Sequence, residues 1–282
     1  MKISFLDFWY DFIDDRNFLF YSIRELVSNL ELVGPEKADV IIYSCFGNEH
    51  KKYNHCKKIF YTGENIRPNF NQCDYSLSFD IDSYNSRNIR LPLWYFYIDW
   101  FGVSTYKNPE YLIPVNYLYG ENEFNTKKKN KFCCTVFSRK ENIRMNFLSK
   151  LSTYKSVDAF GKIHLKQIPD GEKIKMDLIS EYKFAMCFEN SIYPGYFTEK
   201  LLHAKVSGCI PIYYSDKSFS VDFNINSCIN LINYNNMDDM IEDIKKIDND
   251  NILYKKINDE PIFQTNIDLS KILNKIETII KK

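Results

Sequence analysis

The stretch Phe184-Ala185-Met186-Cys187-Phe188-Glu189-Asn190-Ser191-Ile192-Tyr193-Pro194-Gly195-Tyr196-Phe197-Thr198-Glu199-Lys200 decides how the rest of the chain is read. Its first five residues form an apolar run with the length of a buried strand. Near its end, Thr198 suits the cap of a helix whose apolar positions are Leu201, Leu202, Ala204 and Val206. A turn holding Pro194 and Gly195 therefore joins a strand to a helix start, with Lys200 in the first helical turn. The helix dipole disfavours a cation there unless an anion is bound, and free N–H groups beside a lysine suit phosphate. By the same logic, removing Lys200 is expected to leave the ligand-free protein no less stable. An ordinary strand–loop–helix unit with no ligand is the alternative.

Outward from this stretch, strands and helices alternate. Residues 3–6, 38–43, 58–61 and 75–79 read as strands, and residues 17–30 carry a helical period through Leu19, Ile23, Leu26, Val27 and Leu30, stopped by Gly34-Pro35. Between residues 102 and 131, Asn, Pro, Gly and the run Lys127-Lys128-Lys129 interrupt the pattern, so a linker is expected there and the basic run reads as a solvated loop. The second half repeats the theme, with strands over 131–137, 157–160, 184–188, 210–214 and 229–232 and helices over 142–151, 174–182 and 198–206. Such alternation predicts an α/β fold of two doubly wound, Rossmann-like domains, over residues 1–115 and 131–265. In the tail, over 266–282, Leu269, Ile272, Leu273, Ile276, Ile279 and Ile280 share one helical stripe. That helix is expected to dock on a domain, with a membrane-surface helix as the alternative.

Composition narrows the function. The 37 Lys plus Arg equal the 37 Asp plus Glu, so wholesale capture of nucleic acid is not expected. The 21 Tyr and 22 Phe suit sugar recognition, although drift in a Lys-, Asn- and Ile-rich chain accounts for most of them. None of the eight cysteines forms a C-x-x-C pair, and the four histidines show no ligand spacing, so no metal site is read from them. Buried, reduced thiols in a cytoplasmic protein are the expectation. The start Met1-Lys2-Ile3-Ser4-Phe5-Leu6-Asp7 is charged again by its seventh residue, unlike a signal peptide, and no apolar run reaches the roughly 18–20 residues of a membrane helix.

Phe188 to Lys200 resembles the signature of the α1,3/4-fucosyltransferases, glycosyltransferase family ten, in which Phe-Glu-Asn-Ser is followed by Tyr-x-Thr-Glu-Lys. The resemblance continues in Phe60-Tyr61-Thr62-Gly63-Glu64-Asn65, Arg90-Leu91-Pro92-Leu93, Val157-Asp158-Ala159-Phe160-Gly161-Lys162 and Gly208-Cys209-Ile210-Pro211-Ile212-Tyr213. It implies a GT-B fold with a cleft between its domains, of the soluble bacterial or viral type. It also implies an inverting α1,3-fucosyltransferase that takes L-fucose from GDP-β-L-fucose to an N-acetylglucosamine-containing glycan of N-acetyllactosamine type. The acceptor would be an oligosaccharide or glycolipid, with at most peripheral contact at the inner face of the membrane. A GT-B enzyme using another nucleotide sugar, or a non-catalytic nucleotide-sugar- or glycan-binding protein, are the alternatives.

The resemblance distributes the roles. Glu64, just past a β-run and a glycine, matches the catalytic carboxylate that takes the acceptor proton. Arg144 and Lys200 would grip the departing diphosphate, with Arg139 the nearby competitor for Arg144. Glu199 would accept from ribose hydroxyls, and Asn190 and Tyr196 would hold phosphate or sugar. Glu189 reads more simply as structural, bonding loop N–H groups. Asp80-Ile81-Asp82 is a D-x-D, the pattern that holds a divalent metal in another glycosyltransferase fold. With cations already assigned to the diphosphate no metal is required, and Mn2+ or Mg2+ would at most stimulate.

Overall fold

The computed structural model describes residues 1–161, 168 and 171–281. Lys162, which closes the motif starting at Val157, and Lys282, the last residue of the tail, lie outside the described residues. The chain divides into two compact units, Met1–Pro114 with Ile267–Lys282, and Val115–Asn266.

In the first unit, β1 (Lys2–Leu6), β2 (Glu31–Leu32), β3 (Val40–Tyr43), β4 (Lys57–Tyr61), β5 (Tyr75–Ser78) and β6 (Asn88–Arg90) form an all-parallel sheet ordered β2-β1-β3-β4-β5-β6. All four residues of β3 are buried, which is why Val40, Ile41, Ile42 and Tyr43 read as one apolar run instead of alternating. Helix α1 (Phe18–Leu26) starts where the Asn17 side chain accepts from the Phe20 N–H. It ends four residues before the sequence period does, because Val27 is already extended. A short parallel pair, β7 (Ile98–Asp99) with β8 (Ile113–Pro114), completes this part.

In the second unit, β9 (Lys131–Val136), β10 (Val157–Phe160), β11 (Tyr182–Met186), β12 (Ile210–Tyr213) and β13 (Ile229–Asn230) form a parallel sheet ordered β10-β9-β11-β12-β13. Helix α2 (Asn142–Ser152) joins β9 to β10, α3 (Glu172–Ile179) joins β10 to β11, and α4 (Lys200–Val206) joins β11 to β12. Helices α5 (Met237–Asn249) and α6 (Asn251–Asn258) follow β13. The chain leaves β9 for β10 on one side, then passes back to β11 on the other. Right-handed crossovers then put α2 on one face of the sheet and α3 and α4 on the opposite face. The core agrees, since Phe147 and Leu151 of α2 cluster with Ile241 and Ile244 of α5, whereas Ile179 of α3 clusters with Ala204 of α4. The carboxyl ends of β9 and β11 are therefore the topological switch point, where a doubly wound sheet binds ligands.

The linker expectation changes, and the tail docks as expected. Residues 115–130, read as linker, belong to the second unit. There Lys129 is not a solvated lysine, because its ammonium donates to the Ser180 and Ser207 carbonyls at 2.8 and 2.6 Å. The tail forms α7 (Leu269–Ile280), which belongs to the first unit. Its Ile272, Ile276, Ile279 and Ile280 are buried, and it packs against α1. Lys57, at the start of β4, donates to the Ile279 and Ile280 carbonyls, both at 3.0 Å, and so caps its last turn. With that stripe covered, the membrane-surface alternative has no apolar face to offer.

Candidate active site

Glu64 sits three residues beyond the carboxyl end of β4, held there by its own turn. Thr62 Oγ1 accepts from the Glu64 N–H at 3.0 Å and donates to the Glu64 carbonyl at 3.1 Å, so one buried hydroxyl ties both backbone groups. Gly63 lets the turn lie against Leu93, whose Cδ1 would stand 2.8 Å from any Cβ placed there. The half-buried Glu64 carboxylate has no hydrogen-bond partner among the described residues, and it lines an open concavity with Trp9, Tyr10, Phe46, Leu93 and Phe96. Behind it Tyr61 is fully buried, stacked on Phe96 with ring centroids 4.6 Å apart. An unbonded carboxylate on a fixed turn can take a proton without breaking another contact.

The second cluster lies at the switch point of the other unit, in a cavity whose walls include Arg144 from α2, Lys175 from α3, and Glu199, Lys200 and His203 from the start of α4. Arg144 is 2 % exposed although helix position alone suggests a surface residue. Its Nη2 donates to the Phe188 carbonyl at 2.5 Å and to Asn190 Oδ1 at 2.6 Å, which fixes the guanidinium over the tip of β11. Burial pushes that guanidinium below its usual range, and the Glu189 carboxylate pulls the other way. Asn190 is thus an orienting group for Arg144. Tyr196 is buried and follows Gly195, whose φ of +82° makes the turn before it. Arg139, the competitor, is exposed on the loop before α2.

Glu189 organises the rest. It is 1 % exposed and accepts from the Thr198 N–H at 2.8 Å, the Thr198 hydroxyl at 2.9 and 3.0 Å, the Lys200 ammonium at 2.9 Å and the Tyr213 hydroxyl at 2.6 Å. This bears out its structural reading and corrects two others. Thr198 does not cap α4. Its donors go to the buried carboxylate, a stronger acceptor, and Glu199 takes the N-cap position without a side-chain bond. Nor does Lys200 wait for an external anion. Burial disfavours its charge, but the Glu189 and Glu199 carboxylates outweigh that and hold the ammonium above its usual range. One of its three protons remains for a ligand, since two go to Glu189 and Thr198.

Glu199 faces the cavity beside these cations. Burial raises its carboxyl, but Lys200, Lys175 and His203 together take it down to about 2, so it stays an acceptor. Sequence reading missed Lys175 and His203. The histidine lies four residues after Glu199, on the same helical face, a spacing that could have flagged it; Lys175 comes from another helix and carries no local signal. The D-x-D carboxylates serve the backbone and neighbours. Asp80 is buried against the Tyr84 hydroxyl at 2.6 Å and Arg67 at 3.4 Å, and Asp82 accepts from the Tyr84 N–H at 2.8 Å. Among the described residues no cluster of His, Cys, Asp and Glu could hold a metal ion.

Two sequence profiles match the chain, the α-(1,3)-fucosyltransferase FucT N-terminal domain over residues 3–97 and the glycosyltransferase family 10 (fucosyltransferase) C-terminal region over residues 126–259. The chain is similar to α-(1,3)-fucosyltransferase FucT of Helicobacter pylori, 28 % identical across all of this chain and 66 % of that protein. It thus spans about two thirds of that relative's length, and less of other curated relatives. The crystal structure of an α1,3-fucosyltransferase superposes with a TM-score of 0.79 at 26 % identity, covering all of this chain and 90 % of the other. An α1,3-fucosyltransferase structure with GDP-fucose superposes at 0.77 and 25 %, with the same coverage. The two parallel-sheet units are of the GT-B type these structures share. The chain belongs to the fucosyltransferases of glycosyltransferase family 10.

Proposed function

We propose that the protein is an inverting α1,3-fucosyltransferase that moves L-fucose from GDP-β-L-fucose to the 3-hydroxyl of N-acetylglucosamine in an N-acetyllactosamine-type glycan. The observation that carries this reading is the division of labour between an unbonded carboxylate, Glu64, and a cationic pocket at the switch point, Arg144 with Lys200. The acceptor oxygen attacks fucose C1 from the face opposite the diphosphate. As that bond forms, the C1–O bond to the β-phosphate breaks, and the hydroxyl proton passes to Glu64. GDP leaves with the electron pair. Its growing negative charge meets the Arg144 guanidinium and the free proton of Lys200, so binding tightens towards the transition state. Glu199 accepts from the ribose hydroxyls, and Asn190, which also orients Arg144, and Tyr196 hold phosphate or sugar.

Two cations and an occupied D-x-D support a reaction that needs no metal, with Mn2+ or Mg2+ at most stimulating. Nucleic acid has no part in it. The eight cysteines, all free thiols, suit a cytoplasmic setting, with at most peripheral contact at the inner membrane face. Among the described residues no helix is long and apolar enough to cross a membrane. The test is a donor panel of GDP-fucose, GDP-mannose and UDP-sugars against a glycan array, with the product linkage determined by NMR. An α1,3-linked fucosyl product from GDP-fucose is expected. Transfer from another donor, or nucleotide binding without transfer or donor hydrolysis, would overturn the proposal.

A further inference from the structure

Glu172 and Lys175 stand one turn apart at the start of α3, and the reaction above gives neither a task. Their side chains are 25 % and 21 % exposed, so both reach open space. Behind them His203 is buried, with Nδ1 3.0 Å from the Lys175 ammonium and 3.4 Å from the Glu172 carboxylate. An ammonium can only donate, so Nδ1 accepts and the ring proton sits on Nε2. Burial, with the Lys175 charge, takes His203 down to about 4, which keeps the ring neutral in that role. Lys175 and Glu172 themselves are 3.5 Å apart, the outer limit of a hydrogen bond. They are held side by side, a donor next to an acceptor, more than they are bonded to each other.

Lys175 lines the cavity with Arg144, Glu199 and Lys200, and Glu172 stands beside it at 3.5 Å. Arg144 comes from one face of the sheet, and Lys200 and Glu199 start the helix on the other. Of the charged side chains on the cavity wall, Arg144, Lys200 and Glu199 take the diphosphate and ribose in the reading above, which leaves Lys175, with Glu172 beside it, for the base. We infer that Glu172 and Lys175 select the base of the nucleoside diphosphate, Lys175 donating to a ring carbonyl oxygen and Glu172 accepting from the N–H groups beside it. Guanine offers that edge, with O6 next to N1–H and the 2-amino group. Adenine offers the reverse, an amino donor beside a bare ring nitrogen, and would set donor against donor. The inference rests on the nucleoside-diphosphate reading of the pocket and names the determinant that reading leaves open.

Calorimetric titration of the full chain with GDP, IDP and ADP tests it in the wild type, Lys175→Met, Lys175→Arg and Glu172→Ala. The wild type should favour GDP over ADP by roughly ten- to hundredfold, the scale of one well-placed edge contact. Lys175→Met and Glu172→Ala should lose most of that ratio by weakening GDP, while Lys175→Arg, which keeps a donor, should retain it. Glu172→Ala should also erase the preference for GDP over IDP, since IDP lacks only the 2-amino donor. A GDP preference that survives undiminished in both truncations overturns the base assignment and leaves the nucleotide reading intact. A wild type that binds none of the three overturns both.

Discussion

Glu64 and Glu189 are both glutamates just past the carboxyl ends of central strands, and they do opposite work. Glu64 is half-buried, and its carboxylate has no hydrogen-bond partner among the described residues. Glu189 is buried and saturated by Thr198, Lys200 and Tyr213. The strand end therefore supplies position only; the number of donors already spent on a carboxylate decides whether it can do chemistry or must hold structure.

Glu64→Gln tests the reactive side of the contrast. Fucosyl transfer should fall by about a hundredfold to ten-thousandfold, the range for a lost general base. The thermal midpoint should be unchanged, and the GDP affinity should stay within a few-fold of wild type. Near-normal turnover would remove Glu64 from the reaction.

Lys200→Met tests the structural side. It leaves Glu189 buried without its cation and should cost about 3–5 kcal/mol of stability, as broken buried pairs do. The companion Glu189→Gln/Lys200→Met protein should regain much of that stability and still bind GDP poorly. Denaturant unfolding and calorimetry separate the two effects. A Lys200→Met protein as stable as wild type would mean that Glu189 does not depend on it.

A third measurement concerns His203, which faces Lys175, Glu172, Glu199 and Lys200. Its folded value is lowered from 6.5 to about 4, so the unfolded chain binds the extra proton first. Its contribution is complete above about pH 6.5 and is lost as pH falls towards 4, on the order of 3 kcal/mol in all. His203→Gln should flatten the stability profile across that window. An identical slope in the variant would reject the buried neutral ring. The Glu199 contribution, with a folded value of about 2, falls away only below about pH 4.5. At the small end, Asp82→Asn should change turnover less than about twofold, as expected of an exposed residue far from named stability features, and EDTA should leave substantial activity. Complete loss on chelation, restored by manganese, would return the D-x-D to the mechanism.

Much of this contrast was legible before any coordinates. Alternating runs gave two parallel sheets, and the residues around Glu64 and between Phe188 and Lys200 pointed to the two clusters. What the sequence hid is competition. Thr198 has the chemistry of a helix cap, and nothing in its neighbourhood says that a carboxylate nine residues earlier takes its hydroxyl and its N–H. Lys200 likewise looked uncompensated because its partner lies in the preceding turn. Lys175 and His203 meet only because α3 and α4 pack on one face, a long-range fact that no local period encodes. The unpredicted β2 and β6 have two and three residues, too short for a period to register.

The docking of α7 bears on the order in which the protein is made. Strands β1 to β8 are translated before the second unit, yet the stripe of Ile272, Ile276, Ile279 and Ile280 that completes their unit is translated after it. Domains commonly fold from the N-terminus as they emerge. Here the later-started unit, Val115–Asn266, has all its segments before the earlier one does, so the nascent chain must carry an unfinished apolar surface until α7 has emerged. A chain truncated after Asn266 and released should hold a protease-resistant second unit beside a first unit that is still cut readily. Equal resistance of both at that point would show that the first sheet closes without its last helix.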